Sequence, residues 1–267
     1  MALGMLGYKV GMTQIFTEEG DVIPVTVLQL GPCPVLMIRD KDRDGYEAIQ
    51  VGVGEKKREK ATRAERGHVS ADMESKRRQT PGSKPLGPKP DCEPPRKIRE
   101  FRLETPATEV MVSKLKTPQE GEEPEYEQVP VEVGLILDVK GVFTDIPAVD
   151  VIGTTKGRGY TGAMKAWGFR GMPASHGSKK NHRQIGSTAS NCSNRGLGRP
   201  KKGRKAPGQY GNRRKTIRNL KVIEINEEEN LLLVKGAVPG PNGGFLMVRP
   251  TNKASSSHLR AAREAKK

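Results

Sequence analysis

Residues 231–249 read Leu-Leu-Leu-Val-Lys-Gly-Ala-Val-Pro-Gly-Pro-Asn-Gly-Gly-Phe-Leu-Met-Val-Arg, and this stretch decides the fold class. Two apolar, β-branched runs, Leu231 to Val238 and Phe245 to Arg249, flank a turn from Pro239 to Gly244. Short runs of this kind, separated by proline and glycine, are typical of antiparallel strands. The stretch therefore predicts two strands of a mainly β protein.

Similar runs occur on both sides of a long polar segment that covers residues 153–221. They predict further strands at 22–30, 35–39, 46–53, 129–137, 149–155 and 220–226. Strands about eight to twelve residues apart, with turn signals between them, indicate a small antiparallel β-barrel. We expect the barrel body to comprise residues 1–54, 129–152 and 220–250.

Residues 55–128 form a second excursion from this body, a helix and Pro-rich insertion. The run 55–66, Glu-Lys-Lys-Arg-Glu-Lys-Ala-Thr-Arg-Ala-Glu-Arg, predicts a surface helix that ends before Gly67. Six prolines between Thr80 and Pro95 predict an extended or disordered loop. At the other end of the chain, residues 251–267 form a polar, basic tail.

The net charge is concentrated in the long polar segment. The 267-residue chain has 47 Lys or Arg and 31 Asp or Glu, a formal net charge of +16, yet it has no acidic residue between Asp150 and Glu224. Residues 153–221 hold 18 of the basic residues, so the rest of the chain is nearly neutral. A polyanionic partner is expected, with nucleic acid favoured over an anionic membrane.

Apolar residues are scarce in the same segment, which contains only five Leu, Ile, Val or Phe. Ordering a backbone costs roughly 1–2 kcal/mol per residue, and so few apolar side chains cannot offset that cost. The segment must therefore take its structure from a partner. We predict that residues 153–219 form a long, irregular, basic central extension.

Several other classes of protein fit poorly. Three widely spaced cysteines without a C-x-x-C pair argue against a disulfide framework or a zinc site and fit a reducing cytoplasm. The N-terminus lacks the pattern of a signal peptide, and no apolar run approaches the roughly 20 residues that cross a bilayer. We expect a cytoplasmic protein with no membrane partner.

An enzyme is the third hypothesis. Residues 157–162, Gly-Arg-Gly-Tyr-Thr-Gly, match the G-x-G-x-x-G of dinucleotide-binding enzymes, but no acidic residue follows about 20 positions later to hold a ribose. The segment also lacks the Gly-Lys-Ser/Thr of a P-loop. His176 and His182 have no carboxylate in the segment to tune them, and Cys192 is a lone thiol. No catalytic residue, cofactor, metal or small-molecule substrate is expected.

Aromatic rings alternate with cations at the start of the extension, where Tyr160, Trp167 and Phe169 lie among basic residues. Flat rings beside cations are candidates for stacking on unpaired bases, and glycine lets the backbone approach an irregular polyanion. Local packing of Trp167 is the alternative. The predicted RNA-binding residues are Lys156, Arg158, Tyr160, Lys165, Trp167, Phe169, Arg170, His176, Lys179, Lys180, His182, Arg183, Lys201, Lys202, Arg204, Lys205, Arg213, Arg214 and Lys215.

Four blocks of sequence resemble the universal large-subunit ribosomal protein L-three family in its bacterial form. They are Lys-Val-Gly-Met-Thr-Gln-Ile-Phe-Thr-Glu-Glu-Gly at 9–20, Gly-Thr-Thr-Lys-Gly-Arg-Gly-Tyr-Thr-Gly-Ala-Met-Lys-Ala-Trp-Gly-Phe at 153–169, the stretch 176–183, and Asn-Leu-Leu-Leu-Val-Lys-Gly-Ala-Val-Pro-Gly at 230–240. The resemblance implies a translation-protein-type β-barrel with a central extension that threads through large-subunit rRNA toward the peptidyl-transferase region. It also implies a part in subunit assembly and neighbours of the L-fourteen and L-nineteen type.

The resemblance and the charge distribution together predict a non-enzymatic structural protein of the large ribosomal subunit in the cytoplasm. By match to the family motif, Trp167 is expected near the inner end of the extension. The alternative is a free RNA chaperone or annealing protein. Such a protein would share the basic extension but would need no fixed protein neighbour.

Overall fold

The computed structural model describes residues 3–73, 88–103, 110–115, 126–144, 146–186 and 203–251. The strands in these ranges are β1 (Met5–Phe16), β2 (Val22–Leu30), β3 (Cys33–Arg39), β4 (Ala48–Glu55), β5 (Pro95–Arg102), β6 (Met111–Leu115), β7 (Tyr126–Pro130), β8 (Ile136–Leu137), β9 (Ala148–Thr154), β10 (Tyr160–Thr161), β11 (Gly208–Gln209), β12 (Arg214–Asn226), β13 (Leu231–Lys235) and β14 (Phe245–Pro250). The helices are α1 (Lys41–Asp44), α2 (Arg63–Val69), α3 (Val139–Phe143) and α4 (Ala163–Trp167), with a 3-10 turn at Arg58–Lys60. None of these described helices is long and apolar enough to cross a membrane.

Six strands close into a barrel in the order β1, β14, β9, β12, β13 and β2, and β2 pairs again with β1. The predicted mainly β, antiparallel fold class is confirmed. Leu6, Leu28, Val151, Leu232 and Leu246 are fully buried in one apolar core. The core follows from alternation along the strands, since every second side chain points inward.

Strands β3 and β4, which the sequence analysis assigns to the barrel, lie instead in a second sheet. Its order is β5, β4, β3 and β8. The pairing of β4 with β5 runs from Ala48 opposite Arg102 to Glu55 opposite Pro95 and fixes β4 in this sheet. Strand β5 has no counterpart among the predicted strands, because five of its eight residues are charged. A separate hairpin pairs β6 with β7.

The helix predicted for residues 55–66 has the wrong bounds. Glu55 still belongs to β4, and helix α2 begins only after Thr62. The Thr62 hydroxyl accepts a hydrogen bond from the Glu65 N–H, and the Glu65 carboxylate accepts one from the Thr62 N–H, so the two residues form a capping box. The hydrogen bond from Lys56, together with those from the Thr62 N–H and hydroxyl, lowers the pKa of the Glu65 carboxyl to about 2. The helix continues through Gly67 and buries Val69.

The strand predicted at 129–137 is also divided in two. Strand β7 ends at Pro130, and β8 comprises only Ile136 and Leu137. Between them Gly134 has a φ of 92°, a left-handed conformation that glycine adopts without steric cost. The chain turns at Gly134, and the run of apolar residues from 129 to 137 gives no sign of this turn in the sequence.

A buried carboxylate joins β9 to the strands on either side of it. Asp150 is fully buried, and its Oδ1 accepts a hydrogen bond of 3.1 Å from the Asn219 N–H on β12. Its Oδ2 lies 3.5 Å from Arg218 Nε and 3.6 Å from Arg249 Nη2, so both arginines form ion pairs with it. Arg249 stands directly opposite Asp150 on β14. One side chain therefore links three neighbouring strands of the barrel.

We expect Asp150→Ala to reduce the free energy of unfolding by about 2–3 kcal/mol, because the change leaves the Asn219 N–H and two guanidinium groups without their carboxylate. Asp150→Asn keeps an acceptor for Asn219 and should lose less. Glu224→Ala, which removes an exposed carboxylate from β12, is the matched control and should change stability by less than about 0.5 kcal/mol. Urea denaturation measures all three, and equal stability of Asp150→Ala and the wild type would contradict this role.

Candidate nucleic-acid interface

The chain divides into two compact units, one of residues 1–154 with 215–267 and the other of residues 155–214. Antiparallel pairing joins the two ends of the second unit. The Thr155 N–H donates to the Arg213 carbonyl at 3.0 Å, the Arg158 N–H to the Tyr210 carbonyl at 2.9 Å, and the Tyr210 N–H to the Gly159 carbonyl at 2.9 Å. Strands β10 and β11 extend the ladder. We call residues 155–161 and 208–213 the stem.

Gly211 is required for the stem to close. Its φ is 73°, and a Cβ at this position would lie 2.1 Å from the carbonyl oxygen of Lys156. Any larger residue would therefore have to push the two halves of the stem apart. Gly208, on the same half of the stem, has open space where a Cβ would be.

Trp167 is partly exposed and partly held by the unit itself. It ends the short helix α4, which stops at Gly168 in the left-handed conformation. The indole Nε1–H donates a hydrogen bond of 2.9 Å to the carbonyl of Ala206, and 45 % of the residue remains exposed. Part of this side chain is therefore available for stacking, as expected. Another part is held by local packing, which was the alternative.

The two histidines lie in a tight loop after α4. The Met172 N–H donates to the His182 carbonyl at 3.0 Å, and His182 Nδ1 lies 3.0 Å from the Pro173 carbonyl. Because that oxygen can only accept, Nδ1 carries the proton and donates it to this bond, and the residue itself is exposed. His176 is exposed and has a φ of 60°. Both rings can hydrogen-bond a polar ligand.

Every predicted cation that the structure describes is exposed. Within the unit of residues 155–214 these cations number eleven, no Asp or Glu accompanies them, and none forms an ion pair among the described residues. They are Lys156, Arg158, Lys165, Arg170, Lys179, Lys180, Arg183, Arg204, Lys205, Arg213 and Arg214. Lys215 is exposed on β12 in the barrel unit, whereas Lys201 and Lys202 lie outside the described residues. The arrangement can neutralise several phosphates at once.

The aromatic residues differ in exposure. Tyr160 is 78 % exposed, but most of Phe169 is covered. Tyr210, absent from the predicted set, packs under Arg158, whose guanidinium carbon lies 5.7 Å from the ring centroid. The signal for Tyr210 was available, because it lies between Lys205 and Arg213 in the same alternation of ring and cation that singled out Tyr160.

The described geometry of residues 157–162 does not fit a dinucleotide-binding site. In residues 157–162 the strand β10 has two residues and pairs antiparallel, and the helix after it has five, whereas a dinucleotide site needs a parallel strand and a long helix. Cys33 and Cys92 are free thiols, and burial raises the pKa of Cys33 to about 12. Over the described ranges no three His, Cys, Asp or Glu side chains are placed to hold a metal ion.

Comparison with known proteins matches residues 107–231 to the family described as ribosomal protein L3. A protein of Rhodopirellula baltica, named large ribosomal subunit protein uL3, is 46 % identical over 255 residues, which cover 95 % of this chain and 99 % of that protein. The chain belongs to the ribosomal protein L3 family. Proteins of the same name from Corynebacterium jeikeium and Herpetosiphon aurantiacus are each 38 % identical, over 95 % and 96 % of this chain and 96 % and 99 % of theirs.

The family resemblance predicted from four sequence blocks is thus confirmed. The part of the chain that matches the ribosomal protein L3 family includes the whole unit of residues 155–214. The stem, Trp167 and the exposed cations therefore belong to an L3-type segment. The RNA-binding roles of the individual residues stay predictions.

We expect Gly211→Ala to open the stem of the free protein, because the new Cβ would overlap the Lys156 carbonyl. Trypsin should then cut after Lys156, Arg158 and Arg213 several times faster than in the wild type. Gly208→Ala is the matched control and should leave the cleavage rates unchanged. Equal, rapid cleavage of all three proteins would show that the stem forms only on its partner.

Proposed function

We propose that this protein is a structural constituent of the large ribosomal subunit and binds ribosomal RNA through the unit of residues 155–214. As a member of the ribosomal protein L3 family, it is a ribosomal protein of the cytoplasm and serves translation as part of a ribonucleoprotein. One observation carries the RNA-binding proposal: eleven exposed cations share a unit that has no carboxylate. Such a surface has no internal counter-charge, so it attracts a polyanion.

The backbone of the unit supports close contact with RNA. Glycines with left-handed φ occur at Gly159, Gly168, Gly171 and Gly177, and they bend the chain without side chains that would hold a phosphate away. Cations on successive bends can bind phosphates from separate RNA segments. The protein would thereby draw those segments together, which is the physical basis for the proposed part in subunit assembly.

The aromatic residues support recognition of unpaired bases. The bond from Trp167 to Ala206 fixes the edge of the indole, while nearly half of the residue stays exposed for a base to stack on. Tyr160 offers a second, more exposed ring. From the family likeness we propose that this unit extends toward the peptidyl-transferase region and that the neighbours are proteins of the L-fourteen and L-nineteen type.

A free RNA chaperone or annealing protein is the alternative function. It would bind RNA through the same cations but would not remain in a particle of fixed composition. Sedimentation of cell extracts in moderate salt separates the two. We expect the protein to travel with intact large subunits in a one-to-one ratio, whereas recovery mainly in the free fraction would favour the chaperone.

Replacing Arg213, Arg214 and Lys215 by Ala should weaken RNA binding and lower its salt dependence. Each lost phosphate contact should reduce the slope of log K against log salt by about 0.7–0.9. Replacing Lys57, Lys60 and Arg63 by Ala removes the same charge from exposed positions elsewhere and is the matched control. Filter binding to the cognate rRNA domain at several salt concentrations gives both slopes, and equal slopes for the two variants would contradict the proposed site.

We expect Trp167→Ala to impair ribosome function more than affinity. One stacked base contributes about 1–3 kcal/mol at one place, which many phosphate contacts can mask, while the RNA beside the ring relaxes. Trp167→Phe keeps an aromatic ring but loses the hydrogen bond to Ala206. It therefore distinguishes the effect of stacking on a base from the effect of that hydrogen bond. The measurements are RNA affinity, peptidyl transfer and chemical probing of reconstituted subunits. Full activity with unchanged probing in Trp167→Ala would show that this ring only packs.

A further inference from the structure

The hairpin of β1 and β2 carries large apolar side chains on an exposed face. Phe16 stands directly opposite Val22, and Met12 lies on the same face because side chains alternate along β1. Phe16 is 65 % exposed, and Met12 and Val22 are each 52 % exposed. Gln14 lies between Met12 and Phe16 on this face. Three large apolar side chains exposed on one face are typical of a protein contact, since soluble surfaces usually show such residues singly. We call Met12, Phe16 and Val22 the hairpin face.

The same hairpin has a strand edge without a strand beside it. Strand β1 pairs with β14 only as far as Tyr8, and the backbone of Lys9 then bonds to Gly243 and Gly244. From Gly11 to Phe16 the outer edge of β1 has no strand partner in the described part of the chain. An open edge offers backbone donors and acceptors to an incoming polypeptide.

The charge of the hairpin is opposite to that of the protein as a whole. Residues 10–24 contain no Lys or Arg, whereas Glu18, Glu19 and Asp21 are exposed in and beside the turn. A groove of about 520 Å³ lies at the root of the hairpin, where Val10 lines it together with the carboxylate-bearing residues Glu228 and Glu229. A phosphate backbone would be repelled here, and a basic partner would be attracted.

We propose that the hairpin face binds a basic polypeptide segment with apolar side chains, supplied by another protein of the same particle. The inference rests on the proposed ribosomal role, because the particle provides the partner. Apolar contact at Phe16 and Val22 would bury the face, and the three carboxylates would pair with cations of the partner. A second copy of this chain fits poorly, because self-association through this face would bring two sets of the same three carboxylates together.

Photo-crosslinking in assembled subunits tests the occupant directly. The probe is Phe16→p-benzoylphenylalanine, and Tyr160→p-benzoylphenylalanine on the basic unit is the comparison. After nuclease and protease digestion, we expect the probe at position 16 to be joined to a peptide of a different, net basic protein. Joining to RNA, to a second copy of this chain or to nothing would overturn the proposal. Failure of the probe at position 160 to reach RNA would instead count against the proposed function.

Substitutions then test separately the apolar side chains of the hairpin face and the carboxylates of its turn. The measurement is binding to the crosslinked protein in purified form. Met12→Ser, Phe16→Ser and Val22→Ser together should weaken its binding by about tenfold or more and leave RNA affinity unchanged. Met111→Ser with Ile136→Ser alters two residues of similar exposure, 55 % each, and should change neither value. Unaltered binding by the triple variant would overturn the proposal.

A second variant replaces only residues in and beside the turn and leaves the strands unchanged. It therefore tests the proposal even if the triple serine variant fails to fold. Glu18→Gln, Glu19→Gln and Asp21→Asn together should slow association and reduce its salt dependence, because the steering charge is gone. An association rate with unchanged salt dependence would contradict the charge argument.

Discussion

The basic unit of residues 155–214 is inserted between β9 and β12. The barrel stays closed around this insertion only if these two strands remain side by side. The carboxylate of Asp150 holds them there, with one oxygen on the Asn219 backbone and the other beside Arg218 and Arg249. A buried carboxylate without partners would cost several kcal/mol, so it is tolerated only where neighbours compensate its charge. Asp150 is also the last acidic residue before the basic unit, and its charge is compensated by Arg218 and Arg249 within the barrel.

The two compact units differ in how they can be stabilised. The barrel unit has a continuous apolar core, whereas only Thr161 and Ala163 are buried among the described residues of the second unit. Backbone order costs roughly 1–2 kcal/mol per residue, and two small side chains return little of it. Hydrogen bonds of the stem supply part of the rest, and contacts with RNA would supply more on the proposed function. The surface charge also differs in sign, with cations on this unit and carboxylates at the tip of the β1–β2 hairpin, so the two proposed partners would differ in charge.

The sequence predicted those parts of the fold in which local pattern and tertiary environment agree. Strand β2 matches its predicted bounds because its run of apolar and β-branched residues lies between turn residues at Gly20 and Gly31. Strand β5 escaped prediction because pairing with β4, and not its own charged residues, makes it a strand. In the site, cations and rings could be predicted from composition. The bond from Trp167 to Ala206, 39 residues further along the chain, could not, because only the folded loop brings the two together.

In the proposed complex with RNA, the affinity and the position at which the basic unit binds along the RNA would depend on different features of the unit. Contacts between cations and phosphates are strong in sum but carry no sequence information, so eleven exposed side chains alone would bind many RNA positions nearly equally. Register requires groups whose positions are fixed before binding. The stem closed at Gly211, the indole held on Ala206 and the loop joined from Met172 to His182 are such groups, because each is set by a hydrogen bond or a left-handed φ. On the proposed function, the glycines and the carbonyl contacts of this unit would determine where on the RNA it binds, and the lysines and arginines would determine how tightly.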